Sequence, residues 1–265
     1  MSIYCKVNLN QIIIAHRGES FEAPENTLAA INLAWQRNAD AVEVDVHITK
    51  DNRIVVIHDY NTGRTGNQNK EIKSSTLEEL KNIIVGNAKY PDEKIPTLNE
   101  VLATVPVDKK IIIEIKTKDE IIPILVNEVN NSELKKDQIE FIGFDYQTVV
   151  KIKQTLPHHK VLWLLESRYF WLKYFFPYYI KRIILKTVEK NLDGLDLQAG
   201  KFIVTKLINE IKSANLLVYL WTEDNPQKAY NYFEMGVDGI TTNRAGWMKR
   251  SADRSRGSSV VGGVD

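Results

Sequence analysis

The chain has 265 residues, 43% of them hydrophobic, and sets 35 Lys and Arg against 34 Asp and Glu for a formal net charge of +1. That is enough apolar material for one large core, and the charge is too evenly balanced for a nucleic-acid partner to be expected. No run of about 20 apolar residues is present, Gln11–Ala15 is too short for a signal peptide, and the lone Cys5 cannot form an internal disulfide, so a cytoplasmic protein is the expectation.

Ile12–Ala15 opens the chain as an apolar strand that runs into His16, Arg17 and Gly18. Helical periodicity follows over Thr27–Asn38, with Asn26 or Thr27 as its cap and Pro24 shaping its entry. Ala41–His47 and Ile54–His58 are strand-like, with only six residues between them. A parallel crossover needs a dozen or more, so this connection is an antiparallel hairpin turning at Lys50–Arg53. A two-residue turn at Asp51 and Asn52 pairs Lys50 with Arg53 and sets Asp45 opposite His58. Glu43, Asp45, His47 and His58 then share one face, and a slip of one residue would move His58 off it.

The stretch from about residue 60 to residue 93 holds Gly63, Gly66 and Gly86 and one short helix near Leu77–Lys81; it reads as an insertion over the mouth of the fold. Beyond it, helical segments at Thr97–Thr104, Asp119–Asn130, Gln147–Thr155, Val204–Ser213 and Pro226–Met235 alternate with strands. The strands are Ile111–Lys116, Ile139–Phe144, Val161–Leu165, Gly194–Leu197, Leu216–Thr222 and Gly239–Thr242. With the hairpin strand set aside, eight parallel strands remain. The expected fold is α/β: a (β/α)8 TIM barrel over residues 1–250, carrying an antiparallel hairpin strand and a small insertion after it. The small, polar, glycine-rich tail from Ser251 to Asp265 is expected to be disordered and outside the fold.

Charged groups interrupt these apolar strands in several places, and burying a charge among Ile and Val costs several kcal/mol unless it is paired or bound to a metal (~several, by transfer arguments). Glu43 and Asp45 lie two apart on one strand and Glu114 on another, so three carboxylates converge into a hard-oxygen site suited to one divalent cation, Mg²⁺ or Ca²⁺. His16 and His58 end their strands and can divide proton transfer between nucleophile and leaving group. Arg17 and Lys116 add positive charge suited to phosphate. His47 shares the face of Asp45, while His158 and His159 follow Pro157 in a loop expected to be solvated. Metal, two histidines, Arg and Lys together describe attack on a phosphate ester.

AHRG, PENTL, VEVDVHITKD with VVIHD, IPTLNEVL, EIK, LWTEDN and MGVDGITTN, in this order from Ile12 to about Thr242, closely resemble the glycerophosphodiester phosphodiesterase family. The resemblance implies a TIM barrel, a divalent metal, and hydrolysis of small-molecule glycerophosphodiesters to sn-glycerol 3-phosphate and an alcohol. It implies His16 and His58 as acid/base catalysts, Glu43, Asp45 and Glu114 as metal ligands, Arg17 and Lys116 as phosphate contacts, and Trp221 beside the glycerol group. Two stretches depart from the family pattern, NTGRTGNQNKEI after His58 and ITTNRAGW near Asn243, and neither is expected to touch the metal or proton-transfer positions. The competing readings are a lysophospholipase D-like hydrolase and a non-catalytic barrel that binds phospholipid headgroups. The aromatic and basic stretch Arg168–Lys186 is the candidate for peripheral membrane or lipid contact, against a helix pair covering the barrel wall.

Overall fold

The structure, a computed structural model, describes residues 11–166 and 178–257, with side chains as far as Ser251. The parallel strands are β1 (Ile12–His16), β2 (Ala41–Ile48), β4 (Lys110–Ile115), β5 (Ile139–Gly143), β6 (Lys160–Leu165), β7 (Gly194–Gln198), β8 (Leu217–Trp221) and β9 (Gly239–Thr242). Each pairs with its neighbour, and β1 closes the ring by pairing with both β9 and β2. The eightfold barrel expected from the strand count is therefore the fold. β3 (Ile54–Val56) lies outside the ring, antiparallel to the far end of β2.

Alternation along the strands divides the side chains between two environments. One set packs under the helices in a large core that includes Val42, Val44, Val46, Ile111, Ile113 and Leu197. The other set fills the barrel: Ile14, Ala41, Ile112, Ile142, Leu162, Leu164 and Tyr219. At the N-terminal end of the strands, buried Glu140 accepts hydrogen bonds from Tyr219 Oη at 2.8 Å and Lys110 Nζ at 2.6 Å. This polar floor leaves the opposite, C-terminal mouth for the remaining inward charges, which is where barrel active sites lie.

The hairpin differs from expectation by one residue. The loop holds three residues, Lys50–Asn52, not two: Thr49 N–H donates to Arg53 O at 2.9 Å, Asn52 N–H donates to Thr49 O at 3.1 Å, and Asn52 takes a left-handed φ of 57°. Ile48 accordingly pairs with Ile54, and Ile57 N–H reaches Asp45 O at 2.9 Å. Ile57, not His58, stands level with Asp45. Val55 and Ile57 then pack with Ile72, Leu80, Ile83, Val85 and Ile95 in a small core of the insertion's own. The insertion thus sits on the hairpin, and Tyr60 and Arg64 are the residues it extends to the mouth.

His159 and the C-terminal segment depart from the sequence reading, whereas a helix after β6 falls within it. His159 is buried, not solvated: it stands edge-on to Phe141 at 5.6 Å, and its Nδ1–H donates to Ile139 O at 3.2 Å. A helix over Tyr178–Glu189 follows β6. Ile180 and Ile183 are its buried side, and Tyr178, Leu185 and Val188 are exposed; the rest of the aromatic stretch, through residue 177, lies outside the described residues. The last helix, Ala245–Gly257, carries regular backbone beyond Ser251, where disorder was expected to begin. Among the described residues no helix is long and apolar enough to cross a membrane.

Glu128, on the helix Ile122–Asn130, gives a test of the fold's electrostatics. Its side chain is buried, Oε2 has no hydrogen-bond partner, and burial pushes its pKa up to about 7 against the weaker pull of Arg53. A carboxyl whose folded pKa lies above its unfolded value contributes stability below about pH 4.5 that is lost as pH rises through about 7. Glu128→Gln should therefore be more stable than the parent at pH 8 by on the order of 1 kcal/mol or more, with the gap closing by pH 5. Denaturant unfolding at the two pH values checks this; a gap independent of pH would contradict it.

Candidate active site

Chain geometry at the end of β1 sets the mouth. Arg17 and Gly18 both take left-handed backbone, with φ of 57° and 82°, and a Cβ on Gly18 would lie 2.5 Å from the Ala30 carbonyl carbon. Only glycine fits there. The turn aims Arg17 N–H at Glu43 Oε2, 3.0 Å away, and brings Arg17 Nε to 3.1 Å from Asp45 Oδ2. Thr27 caps the following helix, receiving Ala30 N–H at 3.2 Å. Asn26 instead grips β2: its Nδ2 donates to Asp45 Oδ2 at 2.8 Å and its Oδ1 accepts from Asp45 N–H at 3.2 Å.

Glu43, Asp45 and Glu114 converge as expected. One ligand atom from each lies within 4.8 Å of the others, and all three residues are buried. Lys116 Nζ lies 2.7 Å from Glu114 Oε1 and 3.4 Å from Asp45 Oδ1. Burial works against every charge here. Asp45 is nonetheless held low, because Lys116, Arg17 and His58 outweigh its desolvation. Glu43 is not: burial, then Asp45 and Glu114, push it well above the usual carboxylate range. Burial and Asp45 likewise raise Glu114 to about 7. Three carboxylates thus face two cationic side chains, and Glu43 Oε1 and Asp45 Oδ1 have no hydrogen-bond partner. Oxygen donors, close spacing and unpartnered lone pairs fit a divalent cation.

The two histidines have different supports. His16 Nδ1–H donates to Asn243 Oδ1 at 2.7 Å, and Asn243 is itself held by Asp224, which accepts its Nδ2–H at 2.9 Å and its backbone N–H at 2.8 Å. Burial, then the adjacent Arg17, lowers the His16 pKa. His58 lies past the end of β3, so strand alternation no longer fixes it. Its Nδ1 meets the Asp59 carboxylate at 2.6 Å, and His47 Nε2–H donates to its backbone carbonyl at 3.1 Å. Arg64 then donates from Nε to Asp59 Oδ2 at 2.6 Å and from Nη1 and Nη2 to the two oxygens of Glu25, at 2.8 and 2.7 Å. Glu25 also meets Arg17 Nη1 at 2.9 Å. An unbroken chain of ion pairs, Asp45–Arg17–Glu25–Arg64–Asp59, joins the acidic cluster to the carboxylate that holds the second histidine.

Both stretches that depart from the family pattern therefore reach the two histidines, Asn243 by its direct bond to His16 and Arg64 by way of Asp59, which meets His58. Arg64 and Asn243 sit in loops, where side-chain direction follows no period, and only polar residues beside the HD and TTN motifs hint at them. Trp221 stands on the opposite wall at the end of β8, edge-on to Phe144 at 5.7 Å, with its Nε1–H unpartnered. A cavity of about 420 Å³ opens beside the second histidine, lined by His58, Asp59, Tyr60, Glu114, Lys116 and Phe144 among others.

The model of the glycerophosphoryl diester phosphodiesterase family matches residues 16–247. The chain belongs to that family, and is an enzyme by that membership. It is 29% identical over 245 residues to the glycerophosphodiester phosphodiesterase of Caldanaerobacter subterraneus, covering 88% of this chain and 94% of that one. The Bacillus altitudinis glycerophosphodiester phosphodiesterase is 29% identical over 238 residues, with 87% and 93% covered. A phosphodiesterase of Oleispira antarctica, solved in complex with the product sn-glycerol-3-phosphate, superposes with a TM-score of 0.81 at 25% identity, over 91% of this chain and 96% of that one.

The raised carboxyls of Glu43 and Glu114 must lose their protons to bind a cation. Affinity for Mg²⁺ or Ca²⁺ should accordingly fall as pH drops through about 7, and binding near pH 6.5 should release protons. Titration calorimetry in buffers of different ionisation enthalpy measures both; affinity unchanged between pH 6 and 8 would refute it.

Proposed function

We propose that this enzyme hydrolyses glycerophosphodiesters to sn-glycerol 3-phosphate and an alcohol. One divalent cation, Mg²⁺ or Ca²⁺, is held by Glu43, Asp45 and Glu114, and supplies Lewis-acid polarisation of a phosphoryl oxygen when bound. Arg17 and Lys116, beside that cluster, stabilise charge developing on the phosphoryl oxygens. Trp221 borders the glycerol moiety. The single cysteine supports a reducing compartment such as the cytoplasm as the setting.

The difference between the two histidines carries this reading. A ring whose Nδ1–H is committed to an amide oxygen keeps Nε2 as a free acceptor, and burial beside Arg17 favours the neutral form. His16 is thereby suited to take the proton from the attacking hydroxyl. The Asp59 carboxylate holds the other ring by its Nδ1 at 2.6 Å, leaving Nε2 of His58 to give a proton to the departing alcohol. Arg64, itself paired with Glu25, holds Asp59.

Release of glycerol 3-phosphate from glycerophosphocholine, with and without chelator, is the direct test. Turnover should require the cation; full turnover in excess EDTA, or none under any condition, sinks the proposal. His16→Ala and His58→Ala should each lower kcat by about 10²–10⁴-fold. A diester with a p-nitrophenol leaving group should restore His58→Ala but not His16→Ala, since a good leaving group needs no protonation. The reverse pattern would exchange the two roles.

Tyr178, Leu185 and Val188, exposed on the helix after β6, support a second reading in which lysophospholipids at a lipid surface are substrates. Their replacement by Ser should then reduce turnover of vesicle-bound lysophospholipid while sparing soluble glycerophosphocholine. Equal turnover of both by the variant and the parent would dismiss it.

A further inference from the structure

Asp196 is a buried carboxyl that the reaction described above does not use. It lies in the middle of β7, within Gly194–Gln198, and is 2% exposed. Its register partners are Leu164 on β6 and Tyr219 on β8. Both belong to the cluster that fills the barrel, so Asp196 points to the barrel axis, not to the helices. Its height follows from the same registers. In a barrel, side chains from alternate strands form layers, and Asp196 comes below Trp221, which is two residues beyond Tyr219 on the same face of β8. Asp196 is thus level with Tyr219, two residues short of the Trp221 end of β8, and burial, then the charge of Glu114, pushes its pKa up.

Asp196 Oδ1 is buried and has no hydrogen-bond partner among the described residues. The same is true of Trp221 Nε1 on the adjacent strand. A lone acceptor and a lone donor, both facing the interior of one barrel, carry a standing desolvation cost that packing with Leu would remove. Glu140, the buried acid at the other end of the barrel, shows the contrast, since Tyr219 and Lys110 satisfy it. A vicinal diol offers the complementary pair, a hydroxyl that donates and a hydroxyl that accepts.

We propose that Asp196 is the floor of the substrate site, where Oδ1 accepts a hydrogen bond from a free hydroxyl of the phosphoester's polyol moiety, so that the enzyme selects unacylated glycerol esters over esters lacking that hydroxyl. The inference rests on the glycerophosphodiesterase reading and names the group that reads the glycerol. A site built to bond a hydroxyl rejects the analogue without one, because its polar group is then left unpaired. Asp196 thus acts on selection, at a distance from the histidines that move protons.

The wild-type protein supplies the first arm of the test. Loaded with its cation, it should bind sn-glycerol 3-phosphate at least about tenfold more tightly than propyl phosphate, which keeps the phosphate and loses both hydroxyls. Equal affinity overturns the inference without any variant. The second arm compares Asp196→Leu with Asp196→Asn, which keeps an acceptor. In the Leu variant the ratio of kcat/KM for glycerophosphocholine to that for bis(p-nitrophenyl) phosphate should fall about 10–100-fold, mainly through KM, with Asn retaining most of the ratio. The Leu variant without substrate should also unfold at a higher temperature than the parent. An unchanged ratio in a folded Leu variant marks Asp196 as a buried acid without a substrate role. If the wild type releases no glycerol 3-phosphate at all, the underlying reading fails, and the binding arm still reports on Asp196 separately.

Discussion

Three carboxylates buried at one end of a barrel are the constraint around which the rest of this molecule is arranged. Glu43, Asp45 and Glu114 come to within 4.8 Å because β2 and β4 pair in register, Asp45 with Glu114. Strand alternation leaves them no outward option without burial under helices. Their repulsion is only partly offset by Arg17 and Lys116, and two of the three are driven toward the protonated state. The barrel's own hydrophobic packing has to carry that cost. The cluster is accordingly set on strands whose other faces bury Val42, Val44, Val46, Ile111, Ile113 and Ile115. A site at this tension sits on the stiffest element available, and its geometry does not depend on a loop.

Loops supply what the strands cannot. Asn26 fixes Asp45, Glu25 and Arg64 link Arg17 to Asp59, and Asp224 and Asn243 hold His16. They come from four segments at the C-terminal face of the barrel, Glu25 and Asn26 sharing one. The consequence is a division of labour: charge is stored in the strands and orientation is imposed by the connections. It explains why the insertion has a core of its own. Arg64 is 48% exposed along its side chain, too open for its ion pairs to hold a position by themselves. The apolar cluster of Val55, Ile57, Ile72, Leu80, Ile83, Val85 and Ile95 anchors the segment from which Arg64 reaches back.

The same division decides what was legible in the sequence. Period-two alternation carried Glu43, Asp45 and Glu114 correctly to one place, and the six residues between His47 and Ile54 were enough to make β3 antiparallel and the barrel eightfold. The hairpin register was not legible, because Thr49–Arg53 closes as a three-residue loop only when Asn52 adopts left-handed backbone, and the same letters also spell a two-residue turn. His58 reached the mouth for a reason other than the expected one: the chain leaves β3 at Val56, and Asp59 and His47 fix the ring and its backbone. His159 shows the converse error. Beside Pro157 it reads as loop, yet the tertiary packing of Phe141 and the Ile139 carbonyl claims it.

Asp196 marks the limit of pattern reading in another way. GLDLQ interrupts an apolar run with an acid just as VEVDV and IIIEI do, and alternation alone would send all three inward. What separates them is partnership, and partnership is a property of the closed barrel. Glu43 receives the Arg17 N–H, Asp45 is gripped by Asn26, and Glu114 is met by Lys116. Oδ1 of Asp196 and Nε1 of Trp221 are met by nothing among the described residues. Buried polar atoms are ordinarily satisfied, and the exceptions concentrate where function needs them. On the described strands of this barrel the unsatisfied buried side-chain atoms belong to Glu43, Asp45, Asp196 and Trp221. Unpartnered lone pairs on the cluster suit a cation, and an unpartnered donor with an unpartnered acceptor suits a polyol. On the proposed reading, a phosphodiester of glycerol brings its phosphate to the first and its hydroxyls to the second.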